Sequence, residues 1–258
     1  MSSKQHKIVI ITGCTSGIGA ILCRLYRNDG HTVIGMARSA VAPDIAVDVT
    51  DYDEVRNAVK SIAEEYGKID TVIANAGGGL SGATELLPIA EVEKQIALNF
   101  TGALNVVQTS LEFMERGGNA VFISSACALF ALPYRATYCA SKAAVNMAAF
   151  GLYMELKSHG IRVSSICPGD IKTSFTANRI KYADGGKRYG DAPKLSAQKI
   201  DGREYKRMNA ERATKKIYKY CLKSKKPLYI VGIKYKALNF LRHVLPQKLF
   251  LDITARLF

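Results

Sequence analysis

The sequence predicts an α/β fold in which helices cover both faces of a doubly wound, seven-stranded parallel sheet. Apolar segments of strand length alternate along the chain with polar, helix-forming stretches. The segments are nearly continuous runs of Val, Ile and Ala, as expected for strands that are buried on both faces. They span residues 7–12, 31–38, 44–49, 70–77, 119–125, 162–169 and 227–232.

Helical patterns connect these strands, most clearly over residues 51–66 and 138–158. Asp51 is the expected N-cap of the first helix, because its short carboxylate can accept a backbone N–H of the opening turn. All seven strands fall within residues 1–232, which we therefore expect to form one dinucleotide-binding domain.

Two segments depart from the alternation of strands and helices. Residues 174–208 are polar, basic and rich in glycine, which is typical of either a functional lid or a disordered segment. Residues 233–258 form a basic amphipathic tail, which Pro246 divides into two short helices. Such a tail can lie on a membrane surface, on a neighbouring subunit or on the protein's own core, and the sequence leaves all three open.

The composition is that of a globular protein, since 48% of the 258 residues are hydrophobic and 22% are charged. Six cysteines without a C-x-x-C pair, together with scattered histidines, predict reduced thiols in a cytoplasmic protein and no metal site. We expect neither a signal peptide nor a transmembrane helix, because the first residues are polar and no run of about 18 apolar residues occurs.

The net charge of +14 is concentrated in the last third of the chain, where residues 172–226 carry 17 basic and 5 acidic side chains. A local basic face of this kind suits an anionic substrate or an anionic membrane surface, or simply keeps the surface solvated. We expect no nucleic-acid binding, because no recognition motif accompanies the charge.

The first strand runs into the sequence TGCTSGIG at residues 12–19, a glycine-rich turn that opens a helix. Gly13 would permit the tight turn, Gly17 would let the backbone approach a pyrophosphate, and Gly19 would let the helix pack close to the strand. Unpaired N–H groups at the helix N-terminus favour phosphate oxygens. With a strand before it and a helix after it, this turn predicts a Rossmann-type dinucleotide site.

The end of the second strand indicates which dinucleotide is bound. A carboxylate there would bind the adenosine ribose of NAD and would repel a 2′-phosphate. This chain instead has Ala37 and Arg38, with no acidic residue beside them in the sequence. A guanidinium group can hold a phosphate through two hydrogen bonds. The sequence therefore favours NADP(H) over NAD(H).

Tyr138 and Lys142 are spaced so that both side chains lie on one face of a helix, and Ser125 ends the strand that precedes this helix. The ordinary pKa of a tyrosine, near 10, is too high for easy proton release at neutral pH. A neighbouring ammonium group favours the phenolate, but a Tyr–Lys pair at this spacing does not by itself predict a catalytic site.

Taken with Asn99 and the glycine turn, this constellation resembles the short-chain dehydrogenase/reductase family. The resemblance covers residues 7 to about 232 and depends on several separate motifs. These are TGCTSGIG at 12–19, DVT at 48–50, NAG at 75–77, Asn99, Ser125, YCASK at 138–142 and PGDIKT at 168–173.

The resemblance implies a role for each of four catalytic residues. Tyr138 would pass a proton to or from the substrate oxygen, and Lys142 would hydrogen-bond the nicotinamide ribose. Ser125 would hold the substrate oxygen. Asn99 would anchor a water that links Lys142 to bulk solvent.

The resemblance also implies which residues contact the cofactor. Asp48 and Val49 would contact the adenine, and residues 75–77 the ribose and nicotinamide. The backbone of Ile171 and the hydroxyl of Thr173 would hold the carboxamide. The full set is Gly13, Thr15, Ser16, Gly17, Ile18, Gly19, Arg38, Ser39, Asp48, Val49, Asn75, Ala76, Gly77, Tyr138, Lys142, Pro168, Gly169, Ile171 and Thr173.

Together these residues predict an NADP(H)-dependent oxidoreductase that interconverts a ketone and a secondary alcohol. The small residues from Ala126 to Ala131 and the apolar residues of the lid, such as Phe175, point to a lipophilic substrate of lipid metabolism, steroid-like or fatty-acyl. The alternatives are a cofactor-binding sensor with little turnover and a membrane-surface binding protein. The resemblance further implies a homodimer or a homotetramer.

Overall fold

The seven predicted strands form one parallel sheet in the computed structural model, which describes residues 6–202 and 207–257. They are β1 (Ile8–Thr12), β2 (Thr32–Ala37), β3 (Ile45–Ala46), β4 (Thr71–Ala74), β5 (Asn119–Ile123), β6 (Arg162–Pro168) and β7 (Leu228–Val231). The order across the sheet is β7-β6-β5-β4-β1-β2-β3, and every neighbouring pair is parallel. This topology confirms the predicted doubly wound α/β fold.

Ten α-helices lie in the described part of the chain. They are α1 (Gly17–Asn28), α2 (Tyr52–Tyr66), α3 (Ile89–Ile96), α4 (Gly102–Leu111), α5 (Ala136–Glu155), α6 (Gly186–Tyr189), α7 (Ala192–Asp201), α8 (Ala210–Lys223), α9 (Ile233–Val244) and α10 (Gln247–Leu257). Helices α2, α4 and α5 pack on one face of the sheet, and α1 and α8 pack on the other.

The first strand illustrates why both faces are covered. Ile8 and Ile10 belong to the hydrophobic cluster formed with α2, α4 and α5, whereas Val9 and Ile11 belong to the cluster formed with α1 and α8. All four side chains are buried. Burial of an aliphatic side chain of this size contributes about 1.5–3 kcal/mol, so the continuous apolar runs of the sequence stabilise both helix layers.

The strand order reverses between β1 and β4, and the crevice at the carboxyl ends of such strands is where parallel sheets bind ligands. Here the Thr12 hydroxyl accepts the backbone N–H groups of Asn75 and Ala76, each at 2.9 Å. The Asn75 side-chain amide donates to the Thr12 carbonyl, also at 2.9 Å. These bonds hold the ends of β1 and β4 together beside Gly13.

The two clearest helix predictions agree with the structure to within three residues. Helix α2 follows Asp51, whose carboxylate accepts the Glu54 backbone N–H at 2.9 Å, as a capping residue does. Helix α5 starts two residues before the predicted start and ends three residues before the predicted end. It gives way to a turn that reaches Gly160, whose φ of +72° suits a residue without a Cβ.

The predicted lid, residues 174–208, is more regular than its composition suggests. It contains α6 and α7, and its residues Ile180–Lys181 pair in parallel with Leu80–Ser81 of the loop after β4. A second short parallel pair joins Met208–Asn209 to Ile171–Lys172. Residues 203–206 of the lid lie outside the described residues. The lid is thus anchored at both ends beside the carboxyl edge of the sheet.

The tail consists of α9 and α10, which meet at Pro246. Tyr235, Leu238 and Phe250 are buried, and they pack against a cluster that includes Phe130. One face of the tail therefore packs on the protein's own core, which is one of the three positions that the sequence left open for the tail. Of the helices that the structure describes, none is both long enough and apolar enough to cross a bilayer.

Candidate active site

A cavity of about 260 Å³ extends from the glycine turn after β1 to Tyr138 at the start of α5. It lies at the carboxyl edge of β1, β4, β5 and β6, where the strand order reverses. Fourteen of the predicted site residues line it: Gly13, Ser16, Gly17, Ile18, Asn75, Ala76, Gly77, Ser125, Tyr138, Lys142, Pro168, Gly169, Ile171 and Thr173.

The glycine turn has the backbone geometry that the sequence predicted. Gly13 has a φ of +68°, a conformation that disfavours other residues. A Cβ on Gly19 would lie 2.1 Å from the Gly13 carbonyl oxygen, so only glycine permits this close approach of helix and strand. Ser16 occupies the N-cap position of α1 but makes no side-chain cap hydrogen bond. The first N–H groups of α1 are therefore not satisfied by the cap and suit an anion.

The remaining predicted cofactor residues lie outside the cavity lining. Arg38 and Ser39 are exposed beyond the end of β2, and Thr15 is exposed in the glycine turn. Val49 is buried, and its carbonyl accepts the Asn105 side-chain amide at 3.0 Å.

One acidic residue does lie near Arg38 in space, although none lies beside it in the sequence. Hydrogen bonds from the Thr50 N–H and hydroxyl lower the pKa of the Asp48 carboxyl, and the Arg38 guanidinium lowers it further. The negative charge of Asp48 therefore partly offsets the positive charge that Arg38 would present to a phosphate.

Tyr138 is buried at the far end of the cavity, where its ring packs 5.8 Å from that of Phe175. Burial raises the pKa of the phenol, the neighbouring Cys127 adds to this rise, and a hydrogen bond with the Ser125 hydroxyl opposes it. The sequence predicted a phenol made labile by Lys142. In the structure burial disfavours the phenolate, and the effect of Lys142 on the phenol stays a prediction.

Lys142 is 4% exposed, and its ammonium group donates to the Ile123 carbonyl at 3.1 Å. Burial lowers the pKa of Lys142 to about 8. The Ser124 hydroxyl donates to the Lys142 backbone carbonyl at 3.1 Å, which ties α5 to the end of β5. The side chains of Tyr138 and Lys142 are thus held at the edge of the sheet by the strand that precedes their helix.

Asn99 lies in a π-helical turn, Ala97–Thr101, a distortion that is frequent at functional sites. Its side chain accepts the Gly78 N–H at 2.8 Å and donates to the Gly78 carbonyl and the Ser141 hydroxyl, both at 3.0 Å. A Cβ on Gly77 would lie 3.0 Å from Asn99 Oδ1 and 3.3 Å from Lys142 Nζ. Asn99 and Lys142 therefore border the same small gap.

Sequence reasoning missed several residues that line the same cavity. Asp170 accepts the hydroxyl of Tyr235, a tail residue, at 2.5 Å, and a Cβ on Gly169 would lie 2.1 Å from the Tyr235 ring. Arg135, Arg179 and Arg207 also line the cavity. No local pattern marks these residues, because they come together only when the lid and the tail fold onto the sheet.

These residues fit a dinucleotide. The glycine turn and the uncapped start of α1 offer backbone N–H groups to a pyrophosphate. Gly17 lies opposite Thr173, because a Cβ added to Gly17 would be 3.5 Å from the Thr173 Cβ. The cavity then continues without interruption to Tyr138 and Lys142.

Comparison with known proteins supports this interpretation. A model of the short chain dehydrogenase family matches residues 7–183. The chain belongs to the short-chain dehydrogenase/reductase family. It is 38% identical over 182 residues to a 3-ketodihydrosphingosine reductase of Bacteroides thetaiotaomicron, a match that covers 68% of each chain. It is 28% identical over 254 residues to a probable short-chain type dehydrogenase/reductase VdlC of Helicobacter pylori, which covers 93% of each.

Solved structures of short-chain dehydrogenases share the whole fold. A short-chain dehydrogenase from Streptomyces avermitilis has a TM-score of 0.82 at 24% identity, covering 97% of this chain and 96% of that one. A short-chain dehydrogenase from Burkholderia cenocepacia, in complex with NADP, has a TM-score of 0.76 at 21% identity, with 96% and 97% covered.

The predicted family, fold and enzyme class are confirmed by these matches. The chain is an oxidoreductase of the short-chain dehydrogenase/reductase family that uses a nicotinamide dinucleotide and acts on a small molecule. The individual roles of the four catalytic residues stay predictions.

Proposed function

We propose that this short-chain dehydrogenase/reductase uses NADP(H) to reduce a ketone on a lipophilic substrate. The observation that carries the proposal is the burial of Tyr138 beside Ser125 and Lys142 at one end of a cavity whose other end is the glycine turn. A cofactor sensor without turnover has no need of a proton donor at this position, so the arrangement favours the enzyme over the sensor.

The residues around Tyr138 act on the substrate oxygen. The Ser125 hydroxyl accepts the Cys127 N–H at 3.1 Å, which orients it toward the space beside Tyr138. The substrate carbonyl oxygen accepts hydrogen bonds from Ser125 and Tyr138, and Tyr138 then transfers its proton to that oxygen. The relative from Bacteroides thetaiotaomicron is named a reductase, which favours the direction of ketone reduction.

The bound nicotinamide supplies the hydride. Thr173 and the backbone of Ile171 would hold its carboxamide, and Lys142 would hold its ribose. Lys142 also brings a positive charge that stabilises the Tyr138 phenolate after proton transfer. Arg38 would bind the 2′-phosphate, for which its exposed position beyond β2 leaves room.

Apolar side chains favour a lipophilic substrate. Phe130, Leu132 and Phe175 line the cavity near Tyr138. A second cavity, of about 550 Å³, is lined by Phe130, Cys127 and residues of α5 and the two tail helices. Cys127 and Phe130 line both cavities, so apolar side chains continue from the space beside Tyr138 toward the tail helices. The relative from Bacteroides thetaiotaomicron, which is named 3-ketodihydrosphingosine reductase, supports the same substrate class.

The outer face of the tail favours contact with an anionic membrane surface. Ile233, Phe240 and Val244 share one face of α9 and are 88%, 66% and 57% exposed. Residues 233–258 carry five basic side chains and one acidic side chain. An apolar stripe beside positive charge is the arrangement of helices that lie in the membrane interface. The homodimer or homotetramer stays a prediction.

A panel of ketones tests the proposed function. Purified protein with NADPH should reduce long-chain or steroid ketones, measured by the loss of NADPH absorbance, and should prefer them to short water-soluble ketones. Failure to reduce any ketone of the panel, with NADPH bound, would leave the sensor as the better account.

A further inference from the structure

Three arginines surround the substrate end of the cavity, opposite the glycine turn. Arg135 precedes α5, Arg179 lies in the lid near Ile180, and Arg207 follows α7. All three line the same cavity as Tyr138. The stem of Arg179 packs on Gly79, where a built Cβ would lie 3.1 Å from the arginine Cγ.

Arg179 is unusually deep for a charged residue, at 8% exposed. It donates to the Asp201 carboxylate at 3.2 Å, but its Nε finds no partner among the described residues. The Nε of Arg135 is likewise buried without a partner in that part of the chain. A buried N–H group without an acceptor destabilises the folded state, so a ligand that supplies an acceptor would be favoured beside these two groups.

Negative charge near the three guanidinium groups is scarce among the residues that the structure describes. Asp201 is shared between Arg179 and Lys181, whose ammonium lies 2.7 Å from it. Asp170 accepts the Tyr235 hydroxyl. Burial lowers the pKa of Arg179, and the nearby Arg135 and Arg207 lower it further, which reflects repulsion between like charges. The cluster therefore carries an excess of positive charge in a confined space.

We infer that this arginine cluster, Arg135, Arg179 and Arg207, binds an anionic group of the substrate, a carboxylate or a phosphate. The inference rests on the proposed function, because it concerns the molecule whose carbonyl meets Tyr138. A guanidinium fork binds either oxyanion through paired hydrogen bonds. The substrate is thus an oxo compound that joins an apolar chain to a negative charge.

The position of the cluster separates it from the dinucleotide phosphates. Arg135 lies close enough to Tyr138 to influence the pKa of its phenol, and Arg179 lies beside Phe175, the ring that packs on Tyr138. The glycine turn and the start of α1 lie at the other end of the cavity. An anion bound by the cluster therefore sits near the reacting carbonyl.

Calorimetry on the NADPH-saturated protein tests this inference without requiring turnover. The probes are decanoate, decyl phosphate and 1-decanol, which share one chain length and differ in the head group. We expect decanoate or decyl phosphate to bind at least about tenfold more tightly than decanol, and the tighter of the two identifies the anion. Equal affinity for decanol and both anions would overturn the inference.

Four variants make the test specific. Arg179→Met and Arg135→Met should each weaken the binding of the preferred anion about tenfold or more and leave decanol unchanged. Asp201→Asn removes the competing carboxylate and should tighten anion binding, which keeps the test decisive if Arg179→Met fails to fold. Arg188→Met is the matched control, since Arg188 lies in the same lid but pairs with Glu85 on the surface.

Two results separate this inference from the proposed function. Reduction of neutral ketones without an arginine-dependent preference for anions would retain the enzyme and discard the anion site. Arginine-dependent anion binding without reduction of any ketone would retain the anion site and discard the proposed ketone reduction. A loss of NADPH affinity in Arg179→Met or Arg135→Met that matches the loss of anion affinity would assign the arginines to the cofactor and overturn the inference.

Discussion

Tyr138 and Lys142 lie one turn apart on α5, and burial pushes both toward their uncharged forms. It raises the pKa of the Tyr138 phenol and lowers the pKa of the Lys142 ammonium to about 8. The Ser125 hydroxyl opposes the first effect, and the Ile123 carbonyl gives Lys142 an acceptor. At neutral pH only Lys142 carries the charge that burial disfavours, so it destabilises the folded state, as is common where a site is built for chemistry.

Replacement of Lys142 by Met should therefore stabilise the protein at neutral pH. Below pH 8 both the folded and the unfolded chain hold the lysine proton, and the folded state bears the full penalty of a buried charge. Between pH 8 and the ordinary pKa of 10.5, the folded chain has released the proton while the unfolded chain still binds it, so the penalty declines as pH rises. Above pH 10.5 both states have released the proton, and the penalty of the buried charge is absent.

Urea unfolding of the wild type and Lys142→Met measures this effect. We expect the variant to have a free energy of unfolding about 1–3 kcal/mol higher at pH 7, with a difference that narrows between pH 8 and 10.5. Lys157→Met, which changes an exposed lysine, is the control and should show no such trend. A Lys142→Met variant that is less stable than the wild type at pH 7 would contradict the account.

We propose that Arg38 gives the protein a preference for NADP(H), although Asp48 partly offsets its charge. Arg38→Asp should weaken NADPH binding by roughly tenfold or more and improve NADH binding, because a carboxylate repels the 2′-phosphate and accepts ribose hydroxyls. Fluorescence titration with both nucleotides measures the change, with Lys219→Asp as the control of equal charge. Unchanged NADPH affinity in Arg38→Asp would remove the basis for this preference.

At the scale of elements, the tail has two apolar faces. Its inner face buries Leu238 and Phe250 against the segment after β5, and Tyr235 contacts Gly169 and Asp170 at the cavity. Removal of the whole tail would therefore disturb the core and the active site together. The outer stripe of α9 is the part whose role can be tested separately.

Phe240→Glu places a charge in the outer stripe without opening the core, since Phe240 is 66% exposed. We expect the wild type to sediment with vesicles that contain an anionic lipid, and the variant to lose most of that binding, because a buried carboxylate in the interface is unfavourable. Val41→Glu, at a position 80% exposed on another part of the surface, should bind as the wild type does. Equal sedimentation of Phe240→Glu and the wild type would show that the outer stripe of α9 does not contact the membrane.

The features that the sequence predicts are those fixed by residues close together in the chain, whereas contacts between distant segments are not predicted. Strands, helix α2 with its Asp51 cap, and the glycine turn were predictable because neighbours in the chain determine them. The partners of Asn99, namely Gly78 and Ser141, belong to other elements and left no local signal. The same holds for the arginine cluster and for Tyr235, whose positions depend on how the lid and the tail fold onto the sheet.

Across the whole molecule, the active site lies where two differently charged parts of the chain meet. Residues 1–171 carry 14 basic and 16 acidic side chains, whereas residues 172–226 carry 17 basic and 5 acidic ones. The first part provides the glycine turn, Tyr138 and Lys142. The second provides Thr173, Arg179 and Arg207. If this charge faces the ligand, as we infer for the arginine cluster, the basic segment would attract anionic ligands toward the cavity.

The central claim is that the Tyr138 hydroxyl delivers a proton to a substrate carbonyl. Ketone reduction by Tyr138→Phe, measured beside its affinity for NADPH, tests this directly, because phenylalanine retains the ring that packs on Phe175 and removes the hydroxyl alone. We predict that turnover falls by about 10²–10⁴-fold while the Kd for NADPH changes little. A variant that reduces ketones at the wild-type rate, or that loses NADPH binding together with turnover, would contradict the account.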